Sequence, residues 1–383
     1  MSYSETIKNN QKWIDEVWEK LDKKLSRTAV KNKNKIPYTT VNGDFDDHSQ
    51  GKSIIGWTNG FWGGLMWLMY NETKKECYRE TAEISEKLLD GCFSYVEDMH
   101  HDVGFMWHLT AGASYRLTGN NASKNRNLLA AMSLMSRYNV EGNYIRAWNG
   151  EWFGEKNDGW TIIDCMMNLP ALYWASDITG DERFKHIAVR HADMAMRDHI
   201  RPDGSVNHIV VHDVLKPDTV IEIKAGQGYA ADSCWSRGLA WALYGFMISY
   251  SHTGEQKYLD TAKKVAHYYI SNVSTSEWKT LLDFRAPEEP VYYDSTAGVI
   301  SACGLIEIAK CCPDEQKDMY LKPAVKILQT TEKNWCNWED NEDSIVQMGS
   351  EMYSRGIHKP IIYGDFFFAE AILKLKGSEF NPW

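Results

Sequence analysis

The sequence predicts an all-α fold, an (α/α)6 barrel in which six inner helices are surrounded by six outer helices. Three observations lead to this prediction. A helical period of apolar residues runs through nearly all of the 383 residues, and only residues 206–223 read as a short β-hairpin-like loop. Six largely apolar helical stretches alternate with six charged, amphipathic ones. Because such helix pairs close into one ring, we expect a single catalytic domain over residues 1–383.

The six apolar stretches share an opening of Gly, Asp and aromatic residues. A helix that is apolar on all sides must lie inside the protein, so these are the predicted inner helices. The openings are Trp57-Thr-Asn-Gly-Phe-Trp-Gly-Gly, Asp102-Val-Gly-Phe-Met-Trp, Asp158-Gly-Trp-Thr-Ile-Ile-Asp, Asp232-Ser-Cys-Trp-Ser-Arg-Gly, Tyr293-Asp-Ser-Thr-Ala-Gly and Tyr363-Gly-Asp-Phe-Phe-Phe.

The six charged stretches are the predicted outer helices, because each has one apolar face and one polar face. In the fourth, Phe184, Ala188 and His191 share a face that the neighbouring Arg and Lys residues avoid. Thr-Gly turns separate several helix pairs, and a Gly after a helix is the usual left-handed cap. The predicted ranges are 4–25, 74–96, 121–138, 181–200, 255–273 and 315–336.

Composition restricts the class of partner. The net charge of -10 argues against nucleic acid, since no basic surface is available to neutralise phosphates. Aromatic content is 13%, with 16 Trp and 20 Tyr, and such side chains suit both a core and a carbohydrate cleft. The sequence therefore favours a sugar-like small-molecule partner over nucleic acid or a membrane.

The eight Cys residues show no CxxC spacing with a matching His or Cys pair, and no HExxH or phosphate-loop motif occurs. We therefore expect no metal and no other cofactor. Cys residues within apolar helices are typical of a reducing compartment. The polar N-terminus lacks the apolar core of a signal peptide, and no run of 18 apolar residues exists. These features predict a cytoplasmic location.

Two aspartates are the strongest candidates for chemistry. Asp102 lies in His101-Asp-Val-Gly-Phe, and Asp164 lies in Gly159-Trp-Thr-Ile-Ile-Asp-Cys. Partial burial raises the pKa of a carboxyl group and suits it to proton transfer. Asp102 has a structural alternative, since Asp is a favoured helix N-cap. Asp164 is predicted to lie within an apolar helical turn, where an unpaired carboxylate is costly unless it is functional or hydrogen-bonded.

Convergence of the six openings predicts one pocket. Arg237 interrupts an inner helix and needs an anion, which is either a structural Asp such as Asp232 or a substrate carboxylate. His208 and Gln227 flank the hairpin-like loop. The predicted pocket collects Trp57, Asn59, His101, Asp102, Trp148, Asp164, Arg237, Trp241 and Asp294.

The motifs Trp57-Thr-Asn-Gly-Phe-Trp-Gly-Gly, His101-Asp-Val-Gly-Phe, Ile162-Ile-Asp-Cys-Met-Met-Asn-Leu and Trp235-Ser-Arg-Gly-Leu-Ala-Trp resemble those of the unsaturated glucuronyl hydrolases of glycoside hydrolase family 88. The resemblance runs from about residue 35 to the C-terminus. It implies an (α/α)6 barrel that acts on oligosaccharides left by polysaccharide lyases. These substrates carry a 4,5-unsaturated uronic acid at the non-reducing end, as in fragments of chondroitin, hyaluronan or heparin.

The resemblance also implies site residues. Asp164 matches the family's acid/base aspartate, which protonates C4 of the enol ether so that water adds at C5. Asp102 matches the aspartate that holds the sugar hydroxyls. The separation rule for the two acids of ordinary glycosidases then does not apply. The residues implied to bind substrate are Trp57, His101, Trp148, His208, Gln227, Arg237 and Trp241.

Family members that prefer sulfated fragments carry a Ser-x-x-Ser-x-Lys motif, which here reads Ser354-Arg-Gly-Ile-His-Lys359. Ser354 and Lys359 fit the motif, whereas Ile357 replaces the second Ser. The resemblance thus implies a sulfate-binding role for Ser354 and Lys359, weakened by the change at Ile357.

Three alternatives stay open at this point. An unsaturated rhamnogalacturonyl hydrolase of pectin fragments has the same barrel and the same chemistry. A sugar 2-epimerase also uses an (α/α)6 barrel, but it relies on paired His bases, and only His208 is a candidate here. A non-catalytic carbohydrate-binding barrel would keep the Trp residues without needing Asp164.

Overall fold

The computed structural model of the protein describes residues 5–152 and 154–383, and for Trp152 the backbone alone. Twelve α-helices in these residues alternate between two layers. The outer layer contains α1 (Glu5–Lys31), α3 (Glu76–Leu88), α5 (Asn121–Ser136), α7 (Glu182–Asp198), α9 (Gln256–Thr275) and α11 (Asp314–Trp335). The inner layer contains α2 (Phe61–Thr73), α4 (Ala113–Thr118), α6 (Leu169–Thr179), α8 (Ser236–Thr253), α10 (Ser295–Lys310) and α12 (Ile362–Lys376).

The inner helices close into a ring. A π-helix, Gly104–Gly112, runs directly into α4 and packs against both α2 and α6. The ring continues from α6 to α8, from α8 to α10 and from α10 to α12, and α12 packs back against α2. The prediction of an (α/α)6 barrel is therefore confirmed.

The two layers follow from the two kinds of helix. In α8 every residue from Ser236 to Ser249 is buried, as expected of a helix with no polar face. In α7 the buried residues include Phe184, Ala188 and His191 on one face, while the charged residues lie outward. One large apolar core fills the space between the layers and inside the ring.

Most helix ends lie near their predicted positions. Gly119, Gly180 and Gly254 follow inner helices α4, α6 and α8 and have the left-handed backbone conformation that favours glycine, with φ of 73°, 72° and 69°. Two predicted ranges were wrong at one end. The helix predicted over 74–96 ends at Leu88 and continues as a 3-10 helix, Leu89–Asp98, and α1 extends six residues beyond position 25.

The β-like stretch forms a hairpin, as predicted, but it has a third strand. Strands β8 (Ile209–His212) and β9 (Val220–Lys224) are antiparallel, and β7 (Trp160–Ile162) pairs with β8 so that Ile162 lies opposite Ile209. Residues 160–162 were predicted as the opening of a helix, and that prediction was wrong. A 3-10 helix, Ile163–Met167, joins β7 to α6.

Short elements cover the loops at the openings. The two-stranded hairpins pair β1 (Thr40–Val41) with β2 (Asp44–Phe45), β3 (Tyr138–Asn139) with β4 (Tyr144–Ile145), and β5 (Glu151–Trp152) with β6 (Glu155–Lys156). The 3-10 helices Gly51–Ile55 and Trp57–Gly60 precede α2. Within the described ranges, none of the helices has both the length and the apolar character that crossing a bilayer requires.

Candidate active site

An aromatic cluster forms the floor of the ring at the openings. The half-buried Trp57 ring lies 5.5 Å from the Phe105 ring and 5.1 Å from the Tyr363 ring, measured between centroids. Trp241 lies edge-to-face with Trp57 at 6.4 Å and is completely buried. Trp57 therefore presents part of its surface at the openings, whereas Trp241, which was also predicted to bind substrate, belongs to the core beneath.

Asp102 stands at the start of the π-helix and is 5% exposed. Its Oδ1 accepts a hydrogen bond of 2.9 Å from Asn168 Nδ2, and its Oδ2 lies 3.3 Å from His100 Nδ1 and 3.4 Å from His101 Nε2. Asp102 is not a simple helix N-cap, because its carboxylate accepts a hydrogen bond from Asn168, which lies on a different inner segment.

The charge state of Asp102 differs from the one expected. Burial by itself would raise the pKa of this carboxyl group, but the charges and hydrogen bonds of His101 and His100 outweigh burial and hold the pKa well below its usual range. The expectation of a raised pKa is therefore wrong for Asp102. It is a carboxylate throughout the neutral range, suited to accept hydrogen bonds rather than to donate a proton.

Asp164 lies at the junction between β7 and the inner ring. It is the second residue of the 3-10 helix Ile163–Met167, so it lies at a boundary and not inside a helix as predicted. The side chain is almost buried, with 7% exposure, and among the described residues Oδ1 has no hydrogen-bond partner. This oxygen faces His208 Nε2 at 3.5 Å. A buried carboxylate with an unused oxygen is a candidate proton donor or acceptor.

His208 is held by backbone contacts that favour one tautomer. The backbone N–H of Gln227 donates to His208 Nδ1 at 3.0 Å, whereas the alternative partner of Nδ1, the carbonyl of Ala225, is 3.3 Å away. The shorter contact makes Nδ1 the acceptor, so the proton sits on Nε2, which faces Asp164. The ring also lies 4.3 Å from the ring of Trp235.

Asn168 joins the two acids, although it was not among the predicted site residues. Its Nδ2 donates to Asp102 and lies 3.5 Å from the carbonyl of Asp164, while its Oδ1 accepts from the backbone N–H of Phe105 at 2.8 Å. Gly104 allows this approach, because a Cβ there would lie 2.6 Å from Asn168 Oδ1. The only available signal was its position, four residues after Asp164 in the same motif.

Arg237 has a structural partner, and the partner is Asp294 and not the exposed Asp232. The guanidinium pairs with Asp294, and it also donates to the carbonyls of Ser350 and Glu351. Burial would lower the pKa of Arg237, but the charge of Asp294 together with the nearby Tyr363 and Asp164 outweighs burial and raises it. Nε alone has no partner among the described residues, and the group lies 4.5 Å above the Trp235 ring.

Asp294 and Asn59, both predicted in the pocket, have structural partners. Asp294 caps α10 by accepting from the backbone N–H of Thr296 at 3.1 Å. Asn59 Nδ2 donates to the carbonyls of Ser53 and Ile54. Both side chains are fully buried. They shape the openings from beneath and do not present polar atoms to a ligand.

The predicted sulfate residues lie in the loop between α11 and α12. Ser354 is exposed, and the half-buried Lys359 Nζ forms an ion pair of 2.7 Å with Glu351 Oε1. Tyr38 donates to the same oxygen at 2.5 Å. Burial would raise the pKa of Glu351, but hydrogen bonds from Lys359 and Tyr38 outweigh burial and lower it, so Glu351 stays ionised. Lys359 is therefore already neutralised.

Gln227 and Trp148 lie at the edges of the site. Gln227 Nε2 donates to the carbonyl of Glu351 at 2.6 Å, which ties the segment after β9 to the α11–α12 loop. Trp148 is half-buried, and its ring lies 6.5 Å from the ring of His101 in a perpendicular arrangement. The structure thus brings Trp148, His101 and Asp102 to one side and His208 and Asp164 to the other, with Asn168 between the two acids.

Comparison with known proteins gives a consistent answer. The model of Glycosyl Hydrolase Family 88 matches residues 21–297. The unsaturated glucuronyl hydrolase of Bacillus sp. (strain GL1) is 33% identical over 336 residues, which cover 85% of this chain and 88% of that protein. The unsaturated chondroitin disaccharide hydrolase of Streptococcus pneumoniae is 30% identical over 83% of this chain and 81% of its own length. The solved structure of a UGL variant with dGlcA-Glc-Rha-Glc superposes with a TM-score of 0.85 at 30% identity, covering 94% of this chain and 97% of that one. This chain belongs to glycoside hydrolase family 88.

Proposed function

We propose that this glycoside hydrolase is an unsaturated glucuronyl hydrolase, which releases the terminal 4,5-unsaturated uronic acid from lyase-generated glycosaminoglycan fragments. The observation that carries the proposal is that the site holds two aspartates whose surroundings differ. Asp164 has a free, buried oxygen that faces His208, and Asp102 is an ionised carboxylate tied to the same segment through Asn168. The names of the relatives, an unsaturated glucuronyl hydrolase and an unsaturated chondroitin disaccharide hydrolase, support the same substrate class.

The chemistry assigns the proton transfer to Asp164. Asp164 donates its proton to C4 of the enol ether, and the C4=C5 electron pair forms the new C–H bond. The resulting oxocarbenium-like centre at C5 is attacked by water, and the Asp164 carboxylate takes the proton that water releases. The hemiketal at C5 then opens, and the glycosidic bond breaks without attack at the anomeric carbon.

Asp102 takes the complementary role because it is held ionised. A carboxylate whose pKa is well below its usual range carries no proton to donate at neutral pH. It accepts hydrogen bonds, and the hydroxyl groups of a sugar supply them. His101 and Trp148 flank it on the ligand side, and Trp57 offers the face on which a sugar ring stacks.

The test of this function is the replacement of Asp164 by Asn. The variant keeps the shape of the side chain but has no transferable proton, so turnover should fall by about a hundredfold to ten-thousandfold, in line with the loss of a general acid. The assay follows the ultraviolet absorbance of the enol ether in unsaturated chondroitin disaccharide. The matched control is Asp158→Asn, since Asp158 lies in the same loop but is exposed and pairs with Arg146. Near-wild-type turnover by Asp164→Asn would refute the mechanism.

The substrate is proposed to be unsulfated at the position that the Ser354–Lys359 loop faces. The ammonium of Lys359 is neutralised by Glu351, so a sulfate would have to displace an internal carboxylate that Tyr38 also holds. Glu351→Gln should free Lys359 and raise the ratio of kcat/KM for a sulfated over an unsulfated disaccharide. The added substitution Lys359→Met should cancel that gain. An unchanged ratio in Glu351→Gln would count against this selectivity.

The alternatives make different predictions in the same assay. A rhamnogalacturonyl hydrolase would prefer a pectin-derived unsaturated disaccharide, whereas the name of the Streptococcus pneumoniae relative, an unsaturated chondroitin disaccharide hydrolase, supports a glycosaminoglycan-derived one. Membership of a hydrolase family disfavours both an epimerase and a non-catalytic barrel. We also propose a cytoplasmic location, which the free state of all eight Cys residues supports.

A further inference from the structure

Three metal-ligating side chains meet at the ligand side of Asp102. The His100 Nδ1, the His101 Nε2 and the Asp102 Oδ2 all lie within 4.8 Å of one another. Nothing in the spacing of the sequence predicted this, because adjacent His residues usually point apart. The turn at residues 101 and 102 folds the three side chains together.

The distances between the ligand atoms suit an ion with tetrahedral coordination. Zinc binds imidazole nitrogen and carboxylate oxygen at about 2.0–2.2 Å, which places neighbouring tetrahedral ligands about 3.3–3.5 Å apart. The measured distances to Asp102 Oδ2 are 3.3 Å from His100 and 3.4 Å from His101. The remaining distance, between His100 Nδ1 and His101 Nε2, is at most 4.8 Å, and a small movement of the half-buried His100 side chain would bring it into the tetrahedral range.

The sparse hydrogen bonding of the cluster favours a bound cation. His101 is fully buried, its Nδ1 has no hydrogen-bond partner among the described residues, and its Nε2 makes only the 3.4 Å contact with Asp102 Oδ2, which is longer than a good hydrogen bond. A buried imidazole with so little hydrogen bonding is costly, and a metal ion at Nε2 would satisfy that nitrogen. Asn168 holds the other oxygen of Asp102, in the way that outer partners orient a metal-binding carboxylate. His100 Nδ1 otherwise accepts only a long contact of 3.4 Å from the N–H of Asp102.

We propose that His100, His101 and Asp102 form a site for a divalent transition metal such as Zn²⁺. Three protein ligands leave a fourth position open to water, so binding is exchangeable. The site is not a cofactor site for the reaction, because it occupies the oxygen of Asp102 that the sugar needs. Binding of the ion and binding of the substrate are therefore mutually exclusive, and this consequence rests on the proposed function whereas the site itself does not.

The experiment is a calorimetric titration of the untagged, full-length protein with Zn²⁺, without substrate. His100→Gln should weaken binding at least as much as the loss of an outer partner of a metal ligand, about 10–100-fold. The matched control is His48→Gln, because His48 Nε2 also lies 3.3 Å from a carboxylate, that of Asp46, but the described residues supply no third ligand to make a cluster there. His48→Gln should bind Zn²⁺ as the wild type does.

Two further measurements keep the proposal falsifiable. Co²⁺ bound by nitrogen and oxygen ligands gives visible bands of tetrahedral type, and a near-ultraviolet sulfur-to-cobalt band would instead assign the ion to a thiol such as the exposed Cys311. Unchanged Zn²⁺ affinity in His100→Gln would overturn the site. Zn²⁺ that binds at this site without competing with substrate would leave the site standing and count against the role of Asp102 in the proposed function.

Discussion

Replacing Arg237 by Met should destabilise the protein, because the Asp294 carboxylate then stays buried without its cation. Arg237 is 1% exposed and Asp294 is 0% exposed, so water cannot take over the role of the guanidinium. Removing one partner of a buried ion pair costs about 3–5 kcal/mol. An unfolding entropy of about 2.1 cal/mol/K per residue corresponds to about 0.8 kcal/mol/K for 383 residues. The expected fall in Tm is therefore about 4–6 °C.

A double-mutant cycle isolates the pair. Asp294→Asn removes the charge but keeps the oxygen that caps α10. In the Arg237→Met, Asp294→Asn double variant no charge is left unpaired, so the loss should be smaller than the sum of the single losses by about 1–3 kcal/mol. Calorimetry measures the Tm of the wild type, of both single variants and of the double variant. Arg79→Met is the control, since Arg79 pairs with Glu76 at the protein surface, where the two side chains are 41% and 54% exposed, and the loss of this pair should leave the Tm nearly unchanged.

Kinetics decide between the two roles of Arg237. If Arg237 holds the uronate of the substrate and Asp294 is incidental, Arg237→Met will raise KM strongly and leave the Tm within about 1 °C of the wild type. That result would refute the argument from burial. A lowered Tm with coupling between the two residues supports the structural pair.

Two further predictions concern groups that the sequence did not single out. Asn168→Ala should lower the free energy of unfolding by about 2–4 kcal/mol and reduce kcat, because Asp102 and the N–H of Phe105 both lose a buried partner. Denaturant titration measures the first effect and the enol-ether assay measures the second. A variant with unchanged kcat would show that Asn168 does not position Asp102. Asp365 is fully buried, and burial raises its pKa to about 7 despite hydrogen bonds from backbone N–H groups. The folded state therefore keeps a proton that the unfolded state has lost, so stability should fall as the pH rises from about 4 to about 7. Asp365→Asn should reduce the loss of stability between about pH 4 and about pH 7, measured by denaturant titration, and an equal loss in the variant would contradict the assignment.

The helical barrel could be predicted because its cause is local. Whether a helix is apolar on all sides or on one face is written in its own residues, and the alternation of the two kinds fixes inner and outer layers. The turns at Gly119, Gly180 and Gly254 were equally local. The strand β7 was not, because Trp160–Ile162 become a strand by pairing with residues about 50 positions later in the chain.

The features of the site also fall into two groups, those visible in the sequence and those that only the fold creates. Asp102, Asp164 and His208 could be named from motifs, since a polar group in an apolar stretch is visible in sequence. The bridge through Asn168 and the pairing of Lys359 with Glu351 join separate segments, and no periodicity reports them.

The sequence by itself determined the order of helices, the end of the barrel at which the polar openings meet, and which acids lie there. Only the tertiary structure decided the surroundings of those acids. Two His side chains hold Asp102 ionised, and Asp164 keeps an unpaired oxygen toward His208. The physical reason is that charge state depends on burial and on neighbours a few ångströms away, and distant parts of the chain supply those neighbours.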